Sequence, residues 1–169
     1  MLFFTTFSSP IGKLTAASDG ESLSGLWIEG QKYFFDPSET PTEQADLDIF
    51  IRTREWLDRY FAGKRPSPRE LSLAPRGSAF RQTVWQCLLD IPYGETTTYG
   101  AIAKRIATML GKSTMSAQAV GGAVGHNPIS IIIPCHRLLG TDGSLIGYAG
   151  GLHLKRHLLT HEGINITDM

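Results

Sequence analysis

The residues best suited to covalent chemistry lie at positions 134 to 137, where the sequence reads Pro-Cys-His-Arg. Cysteine attacks as a thiolate, and an ordinary cysteine thiol has a pKa of about 8.5, so it is mostly protonated at neutral pH. A neighbouring imidazole and a positive charge both lower that pKa, and His136 and Arg137 directly follow Cys135. The pattern makes Cys135 a candidate nucleophile, while a plain buried cysteine, acting as a small hydrophobic side chain, stays the alternative.

The segment before Cys135 is strongly apolar. Four isoleucines fall within residues 129–133, which is typical of a buried strand. Pro134 lacks an amide hydrogen and cannot continue a strand ladder, so the strand should end there and present Cys135 at its tip. Adjacent side chains on a strand point to opposite faces, so this pattern does not decide whether Cys135 and His136 meet.

The second half of the chain has the pattern of helices. Ser78 and the run of Thr96, Thr97 and Thr98 each precede apolar residues at helical spacing, as helix-capping residues do, and the segment that starts at Ser116 could form a short third helix. The two short helices expected after Thr98 and Ser116, joined by a turn, resemble a helix-turn-helix. Many three-helix packings never touch DNA, so this pattern alone leaves DNA binding open.

The first half has the pattern of an α/β domain. Residues 1–28 fit short strands separated by turns, residues 29–40 a polar loop, and residues 71–75 a last strand. Pro41 stands where the first residue of a helix would, with Thr40 before it as a cap. The apolar stripe of this helix would consist of Leu47, Phe50, Leu57 and Phe61.

Composition narrows the class of protein only a little. The chain has 169 residues, two cysteines and a formal net charge of zero, which fits one large domain or two small ones. Residues 1–77 carry 9 basic and 11 acidic side chains and residues 78–169 carry 7 and 5, so charge neither favours nor excludes a nucleic-acid partner. No stretch is long and apolar enough for a membrane span or signal peptide, which predicts a soluble cytoplasmic protein with reduced thiols.

Several short motifs now combine into one signature. The Pro-Cys-His-Arg group follows an Asn-Pro pair, precedes a glycine-rich loop, and is flanked by further elements in both directions. These elements are Tyr93-Gly94-Glu95, Thr98-Tyr99-Gly100, Asn127-Pro128, Gly147-Tyr148-Ala149-Gly150-Gly151 and Leu158-Leu159-Thr160-His161-Glu162-Gly163. Together they closely resemble the O6-alkylguanine-DNA alkyltransferase (methylated-DNA–protein-cysteine methyltransferase) family, over about residues 78–163.

The resemblance implies both an architecture and a reaction. Residues 1–77 would form a ribonuclease-H-like α/β domain, and residues 78–169 an all-α, winged-helix-like helix-turn-helix domain that binds DNA. The reaction would be direct-reversal DNA repair, an irreversible single-turnover transfer of the alkyl group from O6-alkylguanine in double-stranded DNA to Cys135, which restores guanine. No cofactor or metal is expected, and we expect a monomer that binds the minor groove and no membrane.

The resemblance also implies roles for individual residues. Cys135 would be the nucleophile, His136 would take its proton through a water molecule, and Glu162 would orient the imidazole. Tyr99 would donate its hydroxyl to the extruded guanine as charge builds on the leaving base. The substrate- and DNA-binding residues implied in this way are Tyr99, Gln118, Asn127, Arg137, Tyr148, Ala149 and Gly150.

Two departures from the family pattern stand out. Most relatives carry an arginine where this chain has Gln118, which lacks the planar cation that stacks in place of the flipped base. The connection between Tyr99 and Gln118 is also longer than in the family, with an extended turn expected over residues 108–116. A cysteine hydrolase and a non-catalytic sensor of alkylated DNA are the two rival functions, and a multiple-turnover assay or an adduct on Cys135 separates them.

A set of histidines near the C-terminus allows two interpretations. His153, His157 and His161 are spaced by four residues, which places them on one face of a helix. Such a face can hold a metal ion, or it can simply be solvated. The absence of a Cys and His cluster in the first half argues against a structural zinc there.

Overall fold

The structure is a computed structural model that describes residues 1–31 and 40–166. The chain divides into two compact units, Met1–Arg76 with Pro128–Ile132, and Gly77–Asn127 with Ile133–Met169. Five residues that lie just before Cys135 along the chain therefore belong to the first unit. Within the described ranges, none of the helices combines the length and apolar character that crossing a bilayer requires.

The first unit contains a mixed four-stranded sheet. Its strands are β1 (Phe3–Ser9), β2 (Gly12–Ser18), β3 (Leu23–Ile28) and β4 (Thr42–Glu43), in the order β3-β2-β1-β4. The pairs β1–β2 and β2–β3 are antiparallel, whereas β4 pairs with β1 in parallel. The Asp19 carboxylate accepts the amide hydrogens of Glu21 and Ser22, which closes the predicted turn between β2 and β3.

Helix α1 (Asp48–Phe61) follows the sheet strand β4. The prediction that Pro41 opens this helix is wrong, because the next two residues pair with β1 and the helix begins seven residues later. Its buried face includes Phe50 and Leu57 of the predicted stripe, whereas Leu47 precedes the helix and Phe61 is half-buried. The strand predicted over 71–75 is reduced to a single bridge to β3, since Pro75 has no amide hydrogen to extend it. Much of the predicted polar loop, residues 32–39, lies outside the described residues.

The apolar segment before Cys135 is buried, but it is not the predicted strand. The amide of Leu26 donates to Pro128 O at 2.8 Å, and the amide of Ser130 donates back to Leu26 O at 2.9 Å, which forms one isolated bridge. The chain then turns, with Ile131 at φ 72°, a strained conformation for a β-branched residue. A run of consecutive apolar residues predicts burial without deciding between a strand and a packed turn.

The second unit contains four helices and a minimal sheet. The helices are α2 (Ala79–Leu89), α3 (Tyr99–Met109), α4 (Ala117–Gly125) and α5 (Leu152–His161), and the sheet pairs β5 (Thr97–Thr98) in parallel with β6 (Leu138–Leu139). The caps predicted at Ser78 and Thr98 are confirmed, because each hydroxyl accepts an amide hydrogen from the first turn of its helix, and Ser116 caps α4 in the same way. The indole of Trp85 donates to Ala123 O at 2.9 Å and fixes α2 against α4.

Candidate active site around Cys135

Cys135 lies in a short 3-10 turn, Cys135–Arg137, between Pro134 and β6. The prediction that Cys135 stands at the tip of a strand is therefore wrong. In a 3-10 turn successive side chains point about 120° apart, in contrast to the opposite directions of a strand. All three side chains of the turn are buried, with exposed fractions of 6% for Cys135, 0% for His136 and 6% for Arg137.

Glu162 connects two of these side chains. It caps the C-terminal end of α5 and is only 4% exposed. Its Oε2 lies 2.6 Å from His136 Nε2, and Arg137 donates from Nε to Oε1 at 2.7 Å and from Nη2 to Oε2 at 3.1 Å. The amide of Gly94 donates to Oε1 at 3.1 Å. We refer to His136, Arg137 and Glu162 as the buried ionic cluster.

The contacts of the cluster determine its protonation. Burial by itself would raise the pKa of the Glu162 carboxyl, but the hydrogen bonds from His136 and Arg137 and the positive charge of Arg137 outweigh burial and hold that pKa well below its usual range. Burial lowers the pKa of His136 despite the carboxylate beside it. Because Arg137 already balances the carboxylate, His136 is neutral, and its Nε2–H donates to Glu162.

This tautomer leaves the second ring nitrogen of His136 as a hydrogen-bond acceptor. His136 Nδ1 is buried, and no hydrogen-bond partner for it occurs among the described residues. A buried acceptor with a free lone pair, in a ring oriented by a carboxylate, has the properties of a general base. Cys135, the preceding residue, carries a thiol whose pKa is raised by burial.

The thiol of Cys135 is itself protonated at rest. Burial raises its pKa, while a hydrogen bond with the Asn127 side chain and the positive charge of Lys155 act in the opposite direction. The Asn127 side chain, which is 5% exposed, also donates from Nδ2 to Ile133 O at 2.9 Å and so braces the chain shortly before the 3-10 turn. A buried thiol of this kind reacts only when a nearby base accepts its proton.

A cavity of about 560 Å³ opens between α3, α4 and the 140–147 segment. Its lining residues are Tyr99, Ala117, Gln118, Gly121, Gly122, Gly140, Thr141, Ile146 and Gly147. Two residues predicted from the sequence, Tyr99 and Gln118, therefore share one cavity. Ile146 is a large apolar side chain that stays 48% exposed at its wall.

Sequence reasoning missed Lys155, which lies behind this cavity. Its side chain is fully buried, and Nζ donates to Ile146 O at 2.8 Å and to Gly147 O at 3.2 Å. Burial lowers the pKa of Lys155 to about 8 and raises the pKa of Tyr99 to about 12. The available signal was its place in the apolar stripe of α5, between Leu154 and Leu158.

The other predicted residues lie nearby along the chain with different exposure. Tyr148, Ala149 and Gly150 are half-buried, and they do not line the cavity that holds Tyr99. A Cβ on Gly150 would lie 3.0 Å from side-chain atoms of Leu154 and Tyr148, so this position has little room for a side chain. Gln118 is exposed on α4.

The histidine face of α5 does not gather metal ligands. His153, His157 and His161 line a shallow groove with Arg156. Among the residues that the structure describes, no three histidine, cysteine, aspartate or glutamate side chains converge as a metal site requires.

Two family models match the chain in its two halves. The model of the ribonuclease-like domain of 6-O-methylguanine DNA methyltransferase matches residues 2–75, and the model of the DNA-binding domain matches residues 79–164. The chain is 44% identical to the methylated-DNA–protein-cysteine methyltransferase of Haemophilus influenzae, over 99% of the chain and 89% of that protein. The corresponding protein of Mycobacterium tuberculosis is also 44% identical, over 96% of the chain and 93% of its own length.

Solved structures agree with these matches. The structure of Mycobacterium tuberculosis OGT in complex with DNA superposes with a TM-score of 0.83 at 42% identity, covering 95% of this chain and 92% of that chain. The Mycobacterium tuberculosis O6-methylguanine methyltransferase superposes with a TM-score of 0.82 at 43% identity, covering 99% of this chain and 97% of that chain. Both the ribonuclease-like and the DNA-binding domain models are present, in family order, across nearly the whole chain. This chain belongs to the 6-O-methylguanine DNA methyltransferase family.

Proposed function

We propose that this protein repairs DNA by direct reversal: it moves the alkyl group of O6-alkylguanine onto Cys135, once per molecule, and restores guanine. The observation that carries the proposal is the buried ionic cluster. It supports a neutral, oriented imidazole at position 136, next to a buried cysteine, in a chain of this family. The family resemblance supplies the substrate, and the cluster supplies the base that a protonated thiol needs.

In the proposed transfer, each proton, bond and electron pair can be accounted for. His136 Nδ1 accepts the thiol proton, through a water molecule in our proposal, and Glu162 stabilises the resulting imidazolium. The Cys135 sulfur forms a bond to the alkyl carbon as the bond between that carbon and O6 breaks. The electron pair of the broken bond moves into the guanine, which takes a proton on its ring from water, while the imidazolium of His136 returns the thiol proton to water. The thioether is stable, so each protein molecule acts once.

Leaving-group stabilisation falls to Tyr99 in this proposal. Its hydroxyl lines the 560 Å³ cavity, and its raised pKa keeps it in the donating, protonated form. A donor aimed at developing charge acts most strongly where water is excluded. Asn127 would brace the chain before Cys135, Arg137 would hold Glu162 in place, and Tyr148, Ala149 and Gly150 would wall the base pocket.

We propose that α3 and α4 act as a winged-helix-like helix-turn-helix unit, with residues 78–169 as the DNA-binding alkyltransferase domain and residues 1–77 as the α/β domain. Gly121 and Gly122 support minor-groove entry by α4, because a Cβ at either position would meet nothing within 4 Å. Ala123 does not belong to this surface, since it is only 3% exposed and packs inward.

Base extrusion follows from the position of the reactive atom. A group that reacts with O6 in a duplex must take the nucleotide out of the stack, at a cost of a few kcal/mol. In our proposal Gln118 occupies the gap left by the extruded base, and the protein acts as a monomer. Glutamine can hydrogen-bond the orphaned cytosine but lacks the stacking cation of arginine.

Intact-mass measurement and peptide mapping test the proposed function. The protein is incubated with duplex DNA that carries one O6-methylguanine, and an undamaged duplex serves as the control. We expect one added methyl group per protein, on the peptide that contains Cys135. The variants Cys135→Ala and Cys87→Ala separate the two buried thiols, and only the first should abolish the adduct.

Two other results would contradict the proposal. Tight binding to the lesion without any adduct would make the protein a sensor of alkylated DNA. Repeated turnover of an ester or a peptide, with an acyl group on Cys135, would make it a hydrolase.

A further inference from the structure

Lys155 is a buried cation without an acidic partner. It is 0% exposed, and no carboxylate within the described residues pairs with it. Buried lysines are costly unless their ammonium hydrogens are satisfied and their charge is compensated. The mechanism proposed above does not use this residue, so its burial calls for a separate explanation.

The ammonium of Lys155 and the hydroxyl of Tyr99 share one acceptor. Lys155 Nζ donates to Ile146 O at 2.8 Å, and the Tyr99 hydroxyl donates to the same oxygen at 3.4 Å. Nζ also donates to Gly147 O at 3.2 Å and lies 5.7 Å from the centre of the Tyr99 ring. Lys155 therefore hydrogen-bonds the backbone of the cavity wall and makes a cation–π contact with the ring of Tyr99.

This shared acceptor matters when substrate arrives. A hydroxyl has a single hydrogen, so Tyr99 must leave Ile146 O before it can donate to an extruded base. Once an extruded base fills the cavity and excludes water, a carbonyl oxygen left without any donor would oppose this exchange. Lys155 keeps Ile146 O hydrogen-bonded whichever way the tyrosine hydroxyl turns.

We propose that Lys155 is a positioning residue for Tyr99: it holds the Ile146–Gly147 backbone as the cavity wall and frees the tyrosine hydroxyl to donate to the leaving base. The inference rests on the proposed function, since it assigns a role within that reaction. Lys155 acts through Tyr99 and through the wall, and it does not itself touch the alkyl group.

A double-mutant cycle tests this assignment. Lys155→Met removes the ammonium and retains an unbranched side chain, and Tyr99→Phe removes only the hydroxyl. We expect Lys155→Met to slow methyl transfer from duplex O6-methylguanine about tenfold or more in single-turnover assays. In the Tyr99→Phe background the same substitution should slow transfer less than about threefold, because no hydroxyl remains to be positioned.

Two further variants separate positioning from general damage. Lys155→Arg retains donors and charge and should recover most of the rate. Arg156→Met removes a cation from an exposed neighbour on the same helix and should change the rate less than about twofold. Melting temperatures of all variants show whether each is folded, and Lys155→Leu replaces Lys155→Met in the cycle if the methionine variant does not fold.

The reaction of Cys135 with iodoacetamide distinguishes the two routes by which Lys155 can act. Iodoacetamide needs the thiolate but neither a flipped base nor the Tyr99 hydroxyl. An effect on DNA repair that is much larger than the effect on iodoacetamide modification supports positioning through Tyr99. Equal losses in both reactions, or rate losses that multiply in the double variant, would overturn the inference. If the unaltered protein transfers no methyl group at all, the proposed function itself fails, which is a different result.

Discussion

The buried ionic cluster and the exposed face of α4 differ in both burial and charge. The cluster places His136, Arg137 and Glu162 out of solvent and joins them by hydrogen bonds of 2.6 to 3.1 Å. The α4 face presents Gln118 and Gly122, which are exposed and uncharged. Removing one partner of a buried charge network is costly, whereas an exposed neutral surface can change at little cost. We therefore expect the reaction to require every residue of the buried ionic cluster, and DNA recognition by α4 to tolerate substitution of its exposed residues.

The strongest way to break the cluster is Glu162→Gln. This substitution retains the shape but leaves the Arg137 guanidinium buried without its counter-charge. Breaking one partner of a buried pair destabilises a protein by about 3–5 kcal/mol, and we expect a loss of about this size in urea unfolding. Methyl transfer should also fall sharply, since His136 loses the carboxylate that stabilises its charged form.

Glu70→Gln is the matched control for this prediction. Glu70 forms an ion pair with Arg59 at 2.9 Å, but both side chains are more than 40% exposed. Exposed pairs contribute about 0–1 kcal/mol, and glutamine can still accept the amide hydrogen of Ser67 that Glu70 accepts. If the two variants lose similar stability, burial does not set the energetics of the cluster.

Alkylation of Cys135 tests how closely the region around the cluster is packed. Cys135 is 6% exposed, so an added methyl group must displace neighbouring atoms. Overpacking of this kind costs about 1–3 kcal/mol, or a fall in Tm of several degrees for a chain of this length. Differential scanning calorimetry of the protein before and after reaction, with DNA removed, measures the shift. The Cys135→Ala variant, treated identically, should show no shift, and an unchanged Tm in the reactive protein would contradict close packing.

The starts of the helices were predictable because a helix cap depends only on residues that are close in sequence. The caps Ser78 and Thr98 act through a side-chain oxygen and the next turn of backbone, so their meaning survives in any tertiary context. Residues 129–133 were correctly predicted to be buried and wrongly predicted to be a strand. Four isoleucines encode burial, whereas the turn at φ 72° depends on how the bridge to Leu26 ends the extended backbone.

Without the family resemblance, which implied the pairing of His136 with Glu162, the candidate site was predictable only where the residue type itself indicates chemistry. Cys135 and His136 stand out as reactive neighbours in the sequence. The geometry around Glu162 was not accessible from spacing, because a carboxylate 26 residues from His136 meets it only through the packing of α5. Lys155 was missed because a lysine in an amphipathic helix is normally solvated, and its buried position follows from the carbonyls of Ile146 and Gly147.

Acidification weakens the cluster more gradually than mutation. Burial depresses the folded-state pKa of His136 below its ordinary value of 6.5. A group with a depressed pKa contributes stability above its unfolded pKa and loses it as the pH falls, because only the unfolded chain takes up the proton. We expect stability to fall by up to about 1.4 kcal/mol per pH unit below about pH 6.5.

Urea unfolding between about pH 5 and about pH 8 measures this slope. The ordinary carboxyl pKa of 4.5 lies below that range, so Glu162 contributes little to it. The variant His136→Gln should lose the contribution of this one proton. A pH dependence identical to that of the unaltered protein would mean that His136 is not held neutral by burial.

The smallest expected effect concerns the α4 face, where Gln118→Arg introduces a cation on an exposed, uncharged surface. On duplex O6-methylguanine we expect transfer to become a few-fold faster, because arginine stacks in the space of the flipped base and attracts phosphate. Modification by iodoacetamide and the melting temperature should stay unchanged, since Gln118 is exposed and separate from the buried ionic cluster. Gln86→Arg, on the exposed side of α2, adds the same charge elsewhere and should not accelerate transfer.

The salt dependence gives this last prediction a second, independent readout. One additional phosphate contact should steepen the dependence of log K for DNA binding on log salt concentration by about one unit. Faster transfer on duplex DNA with an unchanged rate on a short single-stranded substrate would place the effect in base extrusion. Equal duplex rates for the unaltered protein and Gln118→Arg would mean that α4 does not depend on a cation at this position. The exposed contact at Gln118 would then tolerate substitution, unlike the residues of the buried ionic cluster.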